Sequence, residues 1–389
     1  MKKIAIAVAA AMTAATASAM DFTLYGIVDT GLGYTHVNTL NEPTENRFEE
    51  INGYNSGSRF GFKGTEDLGN GYSVSFVLEN GFSSDSGALG QGGRMFGREA
   101  QLKFHSPYGT LSFGRAGTLI SGAGTLDIWG VNADVLPGGW DGIFNIGNYQ
   151  GNGMRLDNMV TYQTPTAAGF TGYLQYSFAN DTTDGDDDSR PNERSNNRYF
   201  AGGLTYNNGP LGVVVIYDTL MFRHYSDSQV GDVGGNDANV GDSRVLSVGG
   251  HYDFGSFKLT AFGQYVKGSR SGFGDGLGYS VPFWSDDSQF LTFYYDADGY
   301  NLHIGAQIPM DSWGRLYLGA YYGYLEANDD YRNSEAKNIN LLVGHEYDFS
   351  KRTTLYSGVA YKQLKNENDN GKLGDMKATQ VIVGLRHIF

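Results

Sequence analysis

Residues 117–154 read GTLISGAGTLDIWGVNADVLPGGWDGIFNIGNYQGNGM. Nothing in this run alternates, and Gly recurs through it, whereas short alternating segments and tight turns dominate the chain on both sides. A connection of this length without secondary structure, set inside a compact fold, is either functional or a sign that its neighbours have been misread. It carries Asp127, Asp134 and Asp141 beside Trp129 and Trp140, and Arg115 and Arg155 flank it. The reading is a loop folded into the mouth of a barrel, and the flanking segments decide whether a barrel is there.

Those segments alternate with period two, the signature of strands with unlike faces. Over residues 22–32, Phe22, Leu24, Val28 and Leu32 share one face while Thr23, Tyr25, Ile27 and Asp29 share the other. Further on, Phe60 and Phe62 oppose Arg59 and Lys63. Gly69-Asn70-Gly71 is a hairpin turn, after which Val74, Phe76 and Leu78 fall on one side and Ser73, Ser75 and Glu79 on the other. Alternation returns over 170–178 and 315–325, and the last strand sets Val381, Val383, Leu385, His387 and Phe389 against Gln380, Gly384 and Arg386. Short turns at 69–71, 107–109, 166–169, 207–210, 253–256, 311–314 and 348–351 alternate with longer polar stretches at 37–52, 83–94, 180–197, 220–242, 268–297, 327–337 and 365–377. That rhythm puts all the short turns on one rim of an antiparallel barrel of about sixteen strands, as in transmembrane barrels.

Composition agrees. Lys2 and Lys3 precede an apolar run from Ile4 to Ala15, and Ala17-Ser18-Ala19 is a cleavage signature, so residues 1–19 read as a secretory signal peptide and 20–389 as one barrel domain. No later apolar run is long enough for a membrane helix. The chain has no Cys, so an exported protein of this size is not a disulfide scaffold. Its formal charge of −14, or −16 without Lys2 and Lys3, argues against a nucleic-acid partner. A mean hydropathy of −0.36 does not exclude the membrane, because a barrel averages lipid-facing with water-facing residues. The 27 Tyr and 23 Phe suit the aromatic girdles such barrels carry.

Over nearly its full mature length the chain resembles the general porins of the Gram-negative outer membrane, of the β-proteobacterial type. The markers are Leu24-Tyr-Gly, the run SRFGFKGTEDLGNG from Ser58, Gly109-Thr-Leu-Ser-Phe-Gly-Arg, Arg155-Leu-Asp-Asn-Met-Val-Thr-Tyr and the terminal Gly384-Leu-Arg-His-Ile-Phe. The resemblance implies a homotrimer of sixteen-stranded barrels in the outer membrane, each narrowed by its third long loop, here residues 117–154. It implies a basic wall of Arg59, Arg155, Arg98 and Lys63 facing an acidic side of Asp134, Asp141, Asp127 and Glu79. Arg98 sits awkwardly in that set, since it shares a face with Phe96, Ala100, Leu102 and Phe104. Gly138 stands where the family often has Glu, and Ile27 where some relatives have a further basic residue. Arg115 alternates with Leu111 and Phe113 and is expected to point outward, at the subunit contact. Phe389 matches the C-terminal aromatic read by the outer-membrane assembly machinery.

Opposed rows of charge across a narrow aqueous gap create a transverse field that low-dielectric walls focus, so passage depends on solute charge and dipole. Small hydrophilic solutes and ions are the expected traffic, by passive diffusion. In a second reading, Arg59 and Arg155 pair with carboxylates and merely pin the loop. A third makes the channel solute-selective, with Tyr25, Tyr317 and Tyr321 as a pore-side aromatic track. A structural or adhesive barrel ranks last, since no tethering domain is visible. The acidic run 181–188 has dense oxygen ligands but no EF-hand spacing, and reads as a solvated outer loop touching lipopolysaccharide through bridging cations. The seven histidines show no metal-ligand spacing. His224 with Asp227 is the best acid–base pair, and a weak one. No metal, no cofactor and no enzyme activity are expected.

Overall fold

A computed structural model of the chain describes residues 21–40, 42–121, 124–136, 140–145, 155–179, 197–221, 242–269, 297–327, 334–369 and 371–389. The signal peptide expected over 1–19, Gly138, the acidic run 181–188 and the His224–Asp227 pair lie outside the described residues. The strands are β1 (Asp21–Thr39), β2 (Glu45–Asn52), β3 (Arg59–Gly69), β4 (Tyr72–Gly81), β5 (Glu99–Ser106), β6 (Gly109–Gly117), β7 (Arg155–Gln163), β8 (Phe170–Ser177) and β9 (Arg198–Asn208). They continue with β10 (Leu211–Met221), β11 (Ser243–Asp253), β12 (Lys258–Ser269), β13 (Ala297–Pro309), β14 (Arg315–Ala327), β15 (Ser334–Ser350), β16 (Thr353–Asn368) and β17 (Gly371–Ile388). Among the described residues of the long loop lie a short α-helix, α1 (Ile128–Ala133), and a single 3-10 turn at Gly142–Phe144.

Every ladder is antiparallel, and from β3 onward each strand pairs with the next. β1 pairs with β17 from Ile27↔Ile388 to Thr39↔Met376, which closes the barrel. β1 also pairs with β2 through Thr30↔Asn52 and with β3 through Ile27↔Arg59. β2 and β3 are therefore two halves of one stave, and the barrel has sixteen staves, as the alternation indicates. At the seam, Phe389 exchanges backbone hydrogen bonds of 3.0 and 3.1 Å with Gly26. A closed sheet leaves no unpaired edge, which is what a membrane demands of strands.

The expected faces hold. Phe22, Leu24, Val28 and Leu32 are exposed on the outside, while Asp29 is fully buried inside. Near the short turns, rings pair off in a band: Phe22 with Phe62, Tyr72 with Phe104, Phe170 with Tyr206 and Tyr347 with Phe349. Such a girdle marks the interface between hydrocarbon and water. Three stretches expected as loops are instead largely strand: 45–52, 334–337 and most of 365–377. Beyond the bilayer both faces of a strand meet water, so no apolar alternation announces it. Polar and ionic pairs there, such as Lys337 with Glu335 at 2.6 Å, accompany the ladder.

The barrel interior is apolar where the long loop docks. Trp129 packs on Phe262 at 5.2 Å between ring centroids, and Trp140 on Phe144 and Tyr356 at 5.5 and 5.6 Å. Leu119, Ile120, Ile143 and Phe144 are fully buried with them, each such side chain stabilising by about 1.5–3 kcal/mol. Room for these groups comes from wall glycines. A Cβ on Gly203 would lie 2.9 Å from Leu119, on Gly249 2.6 Å from Ala133, on Gly305 2.6 Å from Val135 and on Gly358 2.5 Å from Phe144. Gly358→Ala is thus expected to destabilise the folded barrel by about 1–3 kcal/mol through overpacking. Gly202→Ala, whose Cβ would meet only Leu174 at 3.8 Å, is expected to be near neutral. Thermal unfolding in detergent, read as loss of heat-modifiable electrophoretic mobility, separates the two; equal behaviour would contradict the docking.

Candidate functional site

Packing the loop against β9 to β17 leaves an open gap on the opposite side, next to β3, β5 and β7. This gap is a polar cavity of about 670 Å³. Arg59, Arg98 and Arg155 line it on the wall side, Asp127, Asp134 and Asp141 on the loop side. Arg59 opens β3 and Arg155 opens β7, so both follow from alternation. Arg98 does not, because it precedes β5 in a bend where the two-residue period has not begun. It turns inward and donates from Nε to Glu79 Oε1 at 2.7 Å, both side chains being buried. Tyr25 donates to the other Glu79 oxygen at 3.0 Å. Glu79 thus touches the gap through Arg98 rather than lining it. Ile27 lines the cavity directly, an apolar contribution at a position where charge was a possibility.

One of the expected basic-wall residues stands elsewhere. Lys63 lies four residues along β3 from Arg59, about 13 Å at strand rise, exposed and 5.2 Å above the Tyr25 ring, nearer the short-turn rim. Arg115 lies in a shallow groove with the outward-facing Phe113 and Phe178. Its Nη1 meets Asp157 at 2.6 Å and its Nε donates to Gly97 O at 2.8 Å, while Arg94 holds the same Asp157 at 2.8 Å. The tyrosines do not form an aromatic track along the gap. Tyr317 and Tyr321 are buried, and Tyr317 sits edge-on to Trp140 beneath the loop.

The acidic side is tied to its own backbone. Asp127 caps α1 by accepting from Gly130 N–H at 2.7 Å, Asp134 accepts from Leu136 N–H at 3.0 Å, and Asp141 accepts from Gly142 N–H at 3.0 Å. Burial pushes the Asp127 carboxyl above the usual range, with the Gly130 hydrogen bond opposing. Asp141 is reached by solvent yet hemmed in by the surrounding wall, and desolvation pushes it up as well, with Gly142 opposing. Among the described residues no ion pair joins Arg59 or Arg155 to a loop carboxylate.

Neutral wall side chains hold much of the loop instead, by its peptide groups. Gln175 accepts from Leu119 N–H at 2.9 Å and donates to Gly117 O at 3.1 Å. Gln307 donates to Val135 O at 2.8 Å, and Asn340 to Ile143 O at 3.2 Å. At the loop's base the fully buried Glu99 accepts from Thr125 N–H at 2.9 Å and from its hydroxyl at 2.6 Å, and Lys103 bonds both Glu99 and Thr125. Nothing in the sequence singles these out beyond being inward polar residues, because what they contact is distant in the chain. A further lining element is residues 53–58, which fold inward and contribute Gly53, Ser56, Gly57 and Ser58. The run Asn52-Gly-Tyr-Asn-Ser-Gly-Ser between two alternating segments is the signal that could have marked an interrupted strand.

A narrowed aqueous lumen in a lipid-exposed barrel is the geometry of a channel, and known proteins agree. Residues 5–369 match the family model described as Gram-negative porin. The chain is 34% identical to an outer membrane porin protein of Bordetella pertussis and 30% identical to outer membrane porin protein 32 of Delftia acidovorans, in both cases over the full length of both chains. Among solved structures, the anion-selective porin from Comamonas acidovorans superposes with a TM-score of 0.62 at 25% identity, covering 95% of this chain and all of that one. The chain belongs to the Gram-negative porin family: it is an outer-membrane β-barrel whose lumen is a water-filled channel.

Proposed function

We propose that this porin passes small hydrophilic solutes and ions passively and favours anions at the gap between the arginines and the loop. The observation that carries this reading is the imbalance across the gap. Among the described residues Arg59 and Arg155 line the lumen without an ion pair to a loop carboxylate, whereas Asp127, Asp134 and Asp141 turn oxygens onto their own backbone. Clusters of Arg favour anions and remain charged at every relevant pH. Likeness to an anion-selective porin supports the same sign. The overall charge of −14 does not oppose it, because charge on solvated loops is screened beyond about 10 Å at 0.1 M salt.

The assembly is a homotrimer in this reading. A charged cluster such as Arg94–Asp157–Arg115 is costly against hydrocarbon, so a neighbouring protein surface suits that groove better than lipid. Lipid and lipopolysaccharide surround the remaining wall, and the assembly machinery recognises Phe389.

Replacing Arg155 by Gln is expected to lower the anion-to-cation permeability ratio roughly two-fold, read as a reversal potential across a planar bilayer under a salt gradient; an unchanged potential would contradict the role of this wall. Acid acts in the opposite direction. The raised carboxyls of Asp127 and Asp141 take up protons above the ordinary Asp value of about 3.9, while the arginines keep their charge. Anion preference is therefore expected to rise as pH falls through that window, and the Asp127→Asn, Asp141→Asn double variant to lose the effect. The linked stability has the matching sign: the folded loop binds more protons than the unfolded one there, so stability declines as pH rises through the raised values. A shift toward cations on acidification would contradict the assignment.

A further inference from the structure

We propose that residues 53–58 form a second constriction element and that Asp29 is the positioning residue that holds it in the lumen. The inference rests on reading the arginine-lined gap as the place where ions are selected. Its starting point is a mismatch in register. β1 is continuous, yet Ile27 pairs with Arg59 and Thr30 with Asn52. Val28 and Asp29 of β1 thus face the whole of 53–58, several residues more than the ladder can hold. The excess leaves the sheet, beginning at Gly53 with φ of 69°.

It goes inward because Asp29 is there to receive it. One oxygen of this fully buried carboxylate accepts from Asn55 N–H at 3.1 Å and Ser56 N–H at 2.7 Å, and the other accepts from the Tyr356 hydroxyl at 2.7 Å. Asp29 N–H donates to Ser58 Oγ at 3.1 Å, and Asp29 O accepts from Gly53 N–H at 3.1 Å. A buried carboxylate needs such donors, and a strand interrupted in this way supplies them from its own backbone. The Asn55 side chain fixes the far side, donating to the buried Glu346 at 2.7 Å and accepting from Arg386 at 2.5 Å.

The segment touches both sides of the gap. Gly57 O accepts from Arg59 Nε at 2.8 Å, and a Cβ on Gly57 would lie 3.2 Å from Arg98 Nη1. On the opposite side Tyr54 O accepts from Asp141 N–H at 2.7 Å, and the Tyr54 ring covers Gly142. Displacing 53–58 would release Arg59 from Gly57, uncover Arg98 and free the loop at Asp141 together. Asp29 acts on ion selection through this segment without meeting the ions itself.

The chain has no Cys, so Gly57→Cys gives a single thiol for a test with a negatively charged thiosulfonate reagent on purified, folded protein in planar bilayers. Labelling is expected to cut the open conductance roughly by half and to reduce anion preference, with reversal by reductant. Complete labelling, verified by mass, with unchanged conductance would overturn the second constriction. Asp29→Ala is expected to raise conductance and shift the reversal potential toward cations, while Asp29→Asn, which keeps an acceptor for the two amides, restores most of both. Asp29→Ala channels that fold, by heat-modifiable mobility, and conduct like the parent would overturn the positioning role. Should Asp29→Ala not fold, Tyr356→Phe removes one bond to the same carboxylate, and an unaltered reversal potential there would count equally against it. Failure of the underlying reading is seen separately, as an Arg155→Gln channel with the parent's selectivity.

Discussion

A loop folded into a barrel carries its peptide groups with it, and every one that leaves water needs a partner. Here that requirement is met largely by amide side chains from the inner wall, with Gln175, Gln307 and Asn340 bonding loop carbonyls and amides directly. An unpartnered buried peptide group costs about 1–3 kcal/mol, so these contacts decide where the loop rests. Because they are neutral, the loop stays in place without drawing on the arginines across the gap. The separation of the two jobs, anchoring by amides and field by guanidinium groups, underlies the remaining features of the lumen.

The division has an apolar counterpart. Trp129, Trp140, Phe144 and the aliphatic residues between them seat on wall positions emptied by glycine, so the loop covers what would otherwise be apolar surface in a water-filled channel. What it leaves uncovered is the arc from β3 to β7, where the arginines are. One side of the barrel thus works as a conventional core and the other as a polar opening. The gap is a remainder set by packing, and its charge pattern by which strands lie outside the packed region.

Much of the architecture was legible in the residues. Period-two alternation, seven tight turns and the terminal aromatic sufficed for a closed barrel of sixteen staves, and Arg59 and Arg155 fell inward by simple parity. Parity failed where the ladder stops. Arg98 lies in the bend before β5, so its apparent apolar face carried no meaning. The outer strand ends were unreadable for a different reason: with water on both faces there is no contrast to detect. The inward turn of 53–58 and the glycine seats were hidden because their partners, Asp29, Asp141 or Phe144, are distant in sequence, and a lone inward Gly has no signature of its own. Pinning of the loop by Arg59 and Arg155 was a reasonable alternative from composition, and among the described residues neither arginine makes such a pair.

Single-channel recording of the unmodified protein over a series of salt concentrations tests the separation of anchoring from field most directly. As the screening length falls from about 10 Å at 0.1 M to about 3 Å at 1 M, anion preference is predicted to decay toward parity while the open current stays free of sub-state flicker. Flicker that grows with salt would mean that the loop is held by ion pairs after all, and a permeability ratio indifferent to salt would mean that the arginine field does not select.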